Sequence, residues 1–284
     1  MATVGTSIDV AANIEIYSAP QVASHYASLN YLSPCERLIF DAHLRPEIDI
    51  LDLGVGGGRT TPYLSKIASR YVGADYSEAM IRACRAKYPE NEFLVADAAN
   101  LSMFPESSFD AVVFSFNGID YLRPLEKRMQ CLRECWRVLR PGGKLIFSSH
   151  NPRAIFVIRS WNPQRVKDFS YKLAGKNRLL YALTVVAATI AKAGICFLRT
   201  FFESLVRIAR RVPHKTFFAG EGYMWDPAHG GLMTRYGVPR KIIAELQELQ
   251  FELIQFLGDD YPRESRSLIS DWYYYVFAKP ANKT

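Results

Sequence analysis

Three carboxylates and a cluster of glycines between Asp52 and Asp97 have the types and spacing to hold an adenosine. Asp52-x-Gly54-x-Gly56-x-Gly58 joins an apolar run, Ile48 to Leu53, to a helical stretch. Glycines there permit a tight turn and close approach of backbone to ligand, and the helix start beyond offers free N–H groups. A plain tight turn is the alternative. The spacing is G-x-G-x-G, not the G-x-G-x-x-G of dinucleotide binders, whose loop must cradle a pyrophosphate. Asp75 follows Asp52 by 23 residues, at the end of a second apolar run, where it could accept both hydrogen bonds of a ribose diol. Otherwise it is an Asx turn or cap before Ser77. Asp97, followed by Ala98, ends a third run. A carboxylate beside a backbone N–H can read an adenine edge, and a turn aspartate is the alternative.

Positioning these groups requires alternating strands and helices. The pattern predicts an N-terminal helical segment over 1–45, in which Ser33-Pro34 starts a helix. Strands follow at Ile48–Leu53, Tyr71–Asp75, Glu92–Asp97, Phe109–Phe116 and Lys144–Ser149. Helices are expected at 59–70, from Ser77 to Pro89, and over Leu125–Leu139, whose apolar positions recur at helical period. Pro141-Gly142-Gly143 breaks the last of these. Five alternations with short links mean a parallel sheet covered on both faces. Arg240–Leu249 reads as a helix, and Phe251–Leu257 with Trp272–Lys279 as an antiparallel pair. The fold expected is α/β, a doubly wound, seven-stranded, mostly parallel sheet with an antiparallel terminal strand and a helical insertion. The divisions are a lid (1–45), a core (46–152), a basic insertion (153–219), and a substrate loop with the last helix and strands (220–284).

Taken in order, LDLGVGGGRT, VGADYSEAM, LVADAANL, FDAVVFSFNGIDYL and VLRPGGKLIFSS resemble the successive motifs of class I S-adenosylmethionine-dependent methyltransferases. The resemblance covers about Asp49 to Pro152. It implies the Rossmann-like methyltransferase fold, S-adenosylmethionine as cofactor and S-adenosylhomocysteine as product. It places the methionine part on Asp52 and the glycine turn, ribose on Asp75, and adenine on Asp97 and Ala98 between Tyr76 and Met80. Asn117 would face the sulfonium, and Tyr26 would be a lid contact to the cofactor carboxylate. Arg59 departs from the small residue common after the third glycine; it would pair with that carboxylate or point to solvent. Methyl transfer to oxygen needs a proton removed. His150, at the carboxyl end of the fifth strand, is the preferred base. His229, in the Gly- and aromatic-rich stretch from Gly220 to Gly231, is the second choice, and Asp120 a third. Tyr223 and Trp225 are candidate substrate walls or ordinary packing aromatics. The acceptor expected is a small molecule, sugar or lipid-like compound. The alternatives are a tRNA or other nucleic-acid methyltransferase and a catalytically silent cofactor-binding module. The glycine spacing argues against a nicotinamide enzyme.

The 284 residues are 49% hydrophobic and 22% charged, an ordinary globular balance. The net charge of +7 is uneven: Arg153 to Lys215 holds 13 basic and two acidic residues, so this segment carries +11 and the rest −4. A local basic excess is a statement about a partner. Three readings compete: a helical cap with solvated charges, an interfacial element on anionic membrane, and a nucleic-acid groove. The scarcity of aromatics interleaved with the basic residues argues against the third. The apolar stretch Leu179–Ala191, broken by Lys192 and Gly194, is too short to span a bilayer. Five scattered cysteines and a start with neither a cationic end nor an apolar core fit a reduced, cytoplasmic setting, with peripheral membrane contact as an option. Cys131-x3-Cys135 has no second ligand pair, so no metal site is expected.

Overall fold

The computed structural model describes residues 17, 19–152, 170–175, 177–209, 221–225, 233–259, 261 and 270–281. Two short helices lead in, α1 (Pro20–Ser28) and α2 (Pro34–His43). In α2 the Ser33 hydroxyl accepts from the Glu36 N–H, and the Glu36 carboxylate accepts from the Ser33 N–H. This reciprocal cap satisfies two amides that a helix start leaves open.

The core alternates β1 (Ile48–Leu53), α3 (Thr61–Ile67), β2 (Ala68–Asp75), α4 (Glu78–Lys87), β3 (Glu92–Val95), β4 (Phe109–Phe114), a 3-10 turn (Gly118–Tyr121), α5 (Leu125–Val138) and β5 (Leu139–His150). Beyond the insertion come a hairpin of β6 (Gly222–Trp225) and β7 (Met233–Tyr236), then α7 (Pro239–Glu248), β8 (Glu252–Gly258) and β9 (Trp272–Ala278). The main sheet has seven strands in the order β3-β2-β1-β4-β5-β9-β8. Only β9 runs against its neighbours, pairing antiparallel with β5 and β8.

Each strand feeds both faces. Leu51, Leu53, Phe147, Tyr275 and Phe277 belong to the core under α5 and α7, and Ile50, Ile146, Tyr274 and Val276 to the core under α2, α3 and α4. Burial on both faces explains the unbroken apolar strands. The order reverses between β1 and β4, and ligands of open α/β sheets bind at such a crevice, beyond the strands' carboxyl ends.

Two expectations need correction. The helix expected over 59–70 covers only Thr61–Ile67, because residues from Ala68 onward pair with β1. The insertion holds one long helix, α6 (Arg178–Ala209, 32 residues), which contains Gly194 at a cost of only about 1 kcal/mol. The stretch taken as a loop before the last helix contains the β6–β7 hairpin, paired from Gly222↔Tyr236 to Trp225↔Met233. No helix among the described residues is long and apolar enough to cross a membrane.

Candidate cofactor and acceptor site

The turn after β1 forms the floor of a cleft enclosing about 990 Å³, counted to its open mouth. Tyr26, Asp52, Gly54, Gly56, Arg59, Asp75, Tyr76, Met80, Asp97 and Ala98 all line it. Gly54 has φ +60°, and a Cβ there would come within 2.4 Å of the Phe114 ring. Gly57 is fixed by packing instead: a Cβ would lie 2.3 Å from the backbone of Tyr26 and Ala27. Its missing side chain lets α1 close over the turn and hold Tyr26 in the cleft. The alternate-glycine pattern picks out 54, 56 and 58 and misses Gly57. Gly58 turns away from the cleft, its Cβ position 2.7 Å from Tyr88.

Asp75 is buried and anchors the turn. Its Oδ2 accepts from Gly56 N–H and its Oδ1 from Ser77 N–H, both at 2.9 Å. The Tyr76 N–H also bonds this carboxylate, and of about four acceptor sites on an ionised carboxylate one remains for a diol. Burial raises its pKa against those amide bonds. Asp52 is deeper: Oδ2 accepts from Thr60 Oγ1 (2.6 Å) and Tyr71 OH (2.9 Å). Burial pushes its carboxyl up to about 6, although Thr60, Tyr71 and the Arg59 charge pull the other way. Asp97 is more open, with Oδ1 on the Ala99 N–H at 2.9 Å and Oδ2 3.0 Å from Lys127 Nζ.

Arg59 takes neither expected role. It points to α2, where Nη1 donates to Glu36 Oε2 at 2.7 Å and Nη2 to Oε1 at 2.5 Å, and its guanidinium lies 4.2 Å from the Phe116 ring centroid. Burial alone would raise the Glu36 pKa; the Arg59 hydrogen bonds and charge outweigh it, so the carboxyl is held below its ordinary value. A buried fork thus ties the lead-in helices to the glycine turn. Neither the Arg59 partner nor the cleft residues Tyr17, Phe116 and Tyr121 were expected from sequence.

Asn117 also departs from expectation. It sits at φ +62° after β4 and is not among the residues lining the cleft. Its Nδ2 faces His150 Nε2 at 3.3 Å. His150 is half-buried at the end of β5, and Asp120 holds it from behind: Asp120 Oδ2 accepts from the His150 backbone N–H (2.7 Å) and lies 3.0 Å from Nδ1. The other oxygen of Asp120 accepts from Ser149 Oγ at 2.8 Å and from Arg128 Nη1 at 3.2 Å. Asp120 is fully buried, which removes it as a free base or substrate contact and makes it the group that positions His150. A carboxylate at Nδ1 and an amide N–H at Nε2 select the tautomer with the proton on Nδ1 and the Nε2 lone pair toward the Asn117 amide. Tyr121 links the two regions, lining the cleft with its ring edge-on to His150 at 6.3 Å. The Tyr223 hydroxyl is occupied, donating to Leu122 O at 3.1 Å, with Arg123 over its ring. Trp225 lies on β6, but its side chain, like all of His229, falls outside the described residues.

The residues fit S-adenosylmethionine. Two acidic strand tips flank a glycine turn, an apolar slot separates them, and Ser115 Oγ, buried without a hydrogen-bond partner among the described residues, lines the same cleft.

A sheet of this order, bent at glycines beyond β1 and acidic at the tips of β1 and β2, is the Rossmann-like fold of class I methyltransferases. Residues 51–147 match the family model described as a methyltransferase domain. A probable S-adenosylmethionine-dependent methyltransferase of Mycolicibacterium smegmatis is 36% identical over 110 residues, 39% of this chain and 41% of that protein. A demethylmenaquinone methyltransferase of Clavibacter sepedonicus is 34% identical over 113 residues, 39% of this chain and 44% of that protein. The matched region thus spans less than half the length of either relative. Among solved structures, a methyltransferase of Methanosarcina mazei superposes with a TM-score of 0.56 at 19% identity, covering 89% of this chain and all of that one. Residues 51–147 thus form a region similar to the methyltransferase domain of S-adenosylmethionine-dependent enzymes, carried on the class I fold.

Proposed function

We propose that the protein transfers a methyl group from S-adenosylmethionine to a hydroxyl of a small, lipid-like acceptor, with His150 as general base. The pairing of His150 with buried Asp120, which does not itself line the cofactor cleft but meets the cleft residue Tyr121, carries this reading. Bound S-adenosylmethionine supplies an electrophilic methyl carbon on a positively charged sulfur. The glycine turn and the aspartates orient that group, and α1 and the aromatic walls exclude water from it. An acceptor hydroxyl entering past Tyr121 would take the place of the Asn117 amide at Nε2. His150 would accept its proton there, and Asp120 would stabilise the imidazolium through Nδ1–H. Positioned bases of this kind contribute about 10²–10⁴-fold. A lipid-like acceptor is supported by relatives named demethylmenaquinone methyltransferase and by the apolar surface of the insertion.

The test is release of S-adenosylhomocysteine across a panel of hydroxylated lipids, phenols and sugars, with His150→Gln and Asp120→Asn beside the unaltered chain. Turnover should fall by about 10²–10⁴-fold in His150→Gln while cofactor affinity holds. Tight cofactor binding with no transfer to any acceptor would favour a silent binding module. Full activity in His150→Gln would remove the base.

A further inference from the structure

The helix α6 carries an apolar face that the cofactor site does not use. Leu179, Leu183, Val186, Ile190, Phe202 and Leu205 are each between 43% and 72% exposed. At 3.6 residues per turn these six fall within an arc of roughly 160°, along a helix about 48 Å long. Holding so many large apolar side chains in water is unfavourable unless something covers the face.

The width of the arc and the charge around it point to the occupant. A two-stranded helical seam uses a narrow stripe at two positions in seven, and this face is far broader. The helix has a single acidic residue, Glu203. The exposed Lys172 and Arg178 stand at its start, and the helix sequence holds three further basic residues against that one acid. The segment from Arg153 to Lys215 carries +11. Broad apolar face, cationic remainder and too little hydropathy to span are the attributes of a helix lying flat at a lipid surface.

We propose that α6 docks this protein on an anionic phospholipid bilayer, lying in the headgroup layer with its apolar face toward the acyl chains. The basic residues then face the phosphates.

The experiment is co-sedimentation of the full chain with vesicles of phosphatidylcholine alone and of phosphatidylcholine mixed equally with phosphatidylglycerol, at low and high salt. The double variant Leu183→Glu/Ile190→Glu is run in parallel, with thermal melting as the check on its fold. Sedimentation velocity without lipid follows the oligomeric state. The unaltered chain should bind the anionic vesicles and lose roughly tenfold or more in partitioning when the lipid is neutral or the salt is high. The double variant should melt as the unaltered chain does and lose about another tenfold per replaced residue. Failure to bind anionic vesicles overturns the proposal, as does equal binding to both lipids. A dimer that the double variant dissociates, in a chain that ignores vesicles, overturns it in favour of a second copy. Binding by the unaltered chain alone decides the matter even if the variant fails to fold, and no readout depends on the acceptor.

Discussion

Asp52 ties the cofactor site to a pH dependence that can be measured without an acceptor. Burial lifts its carboxyl from 3.8 to about 6, against the Thr60 and Tyr71 hydrogen bonds. A folded value above the unfolded one means that stability is complete below the lower value and is lost as pH rises through the higher. The cofactor-free protein should therefore gain about 1.3 kcal/mol from this group when pH falls from about 7 to about 5. Cofactor binding has the opposite sign. The amino-acid end of S-adenosylhomocysteine carries an ammonium, and a carboxylate attracts it only when ionised. A complex that keeps Asp52 ionised throughout loses about tenfold in affinity over the same interval, about 1.4 kcal/mol. Near pH 6, binding should release about half a proton. Titration calorimetry with S-adenosylhomocysteine, repeated in buffers of different ionisation enthalpy, reads both quantities, and thermal denaturation of the free protein reads the stability. Asp52→Asn should flatten both profiles. An affinity that ignores pH, or a slope that survives in Asp52→Asn, would refute the assignment of Asp52 to the cationic end of the cofactor.

Three further outcomes follow from the geometry. Gly57→Ala should push α1 off the glycine turn at a cost of about 1–3 kcal/mol in cofactor affinity, with hydrogen exchange rising in Pro20–Ser28 and not in β1; unchanged exchange and affinity would mean that the lid does not close on the cofactor. Glu36→Gln leaves Arg59 charged, buried and half-paired, and should destabilise the fold by about 3–5 kcal/mol in denaturant titration. Asp75→Ala should weaken S-adenosylhomocysteine binding by about 10²-fold, since it removes hydrogen bonds to a charged acceptor worth about 1.5–3 kcal/mol each; intact affinity would refute the ribose assignment.

The cleft was legible in sequence because its parts are local. A glycine turn, a carboxylate at a strand tip and a helix cap each occupy a few adjacent residues, and the strand-helix alternation dictates that successive tips gather at one edge. The groups that make those parts act together are separated in sequence, and spacing carries no record of their meeting. Asp120 reaches His150 across 30 residues, and Arg59 reaches Glu36 across 23. Nothing in the spacing of His150 announces a buried carboxylate behind it. Nor does Arg59, read as a departure from a small-residue habit, reveal that a matching Glu36 on α2 has made the departure useful. Gly57 is hidden for a related reason: its constraint is the backbone of another helix, not its own φ. Each of these meetings joins a residue at the carboxyl edge of the sheet, in the turn after β1 or at the end of β5, to an element outside the sheet. The identity of the acceptor therefore rests on the residues around His150 and on α6 rather than on the motifs that reveal the cofactor.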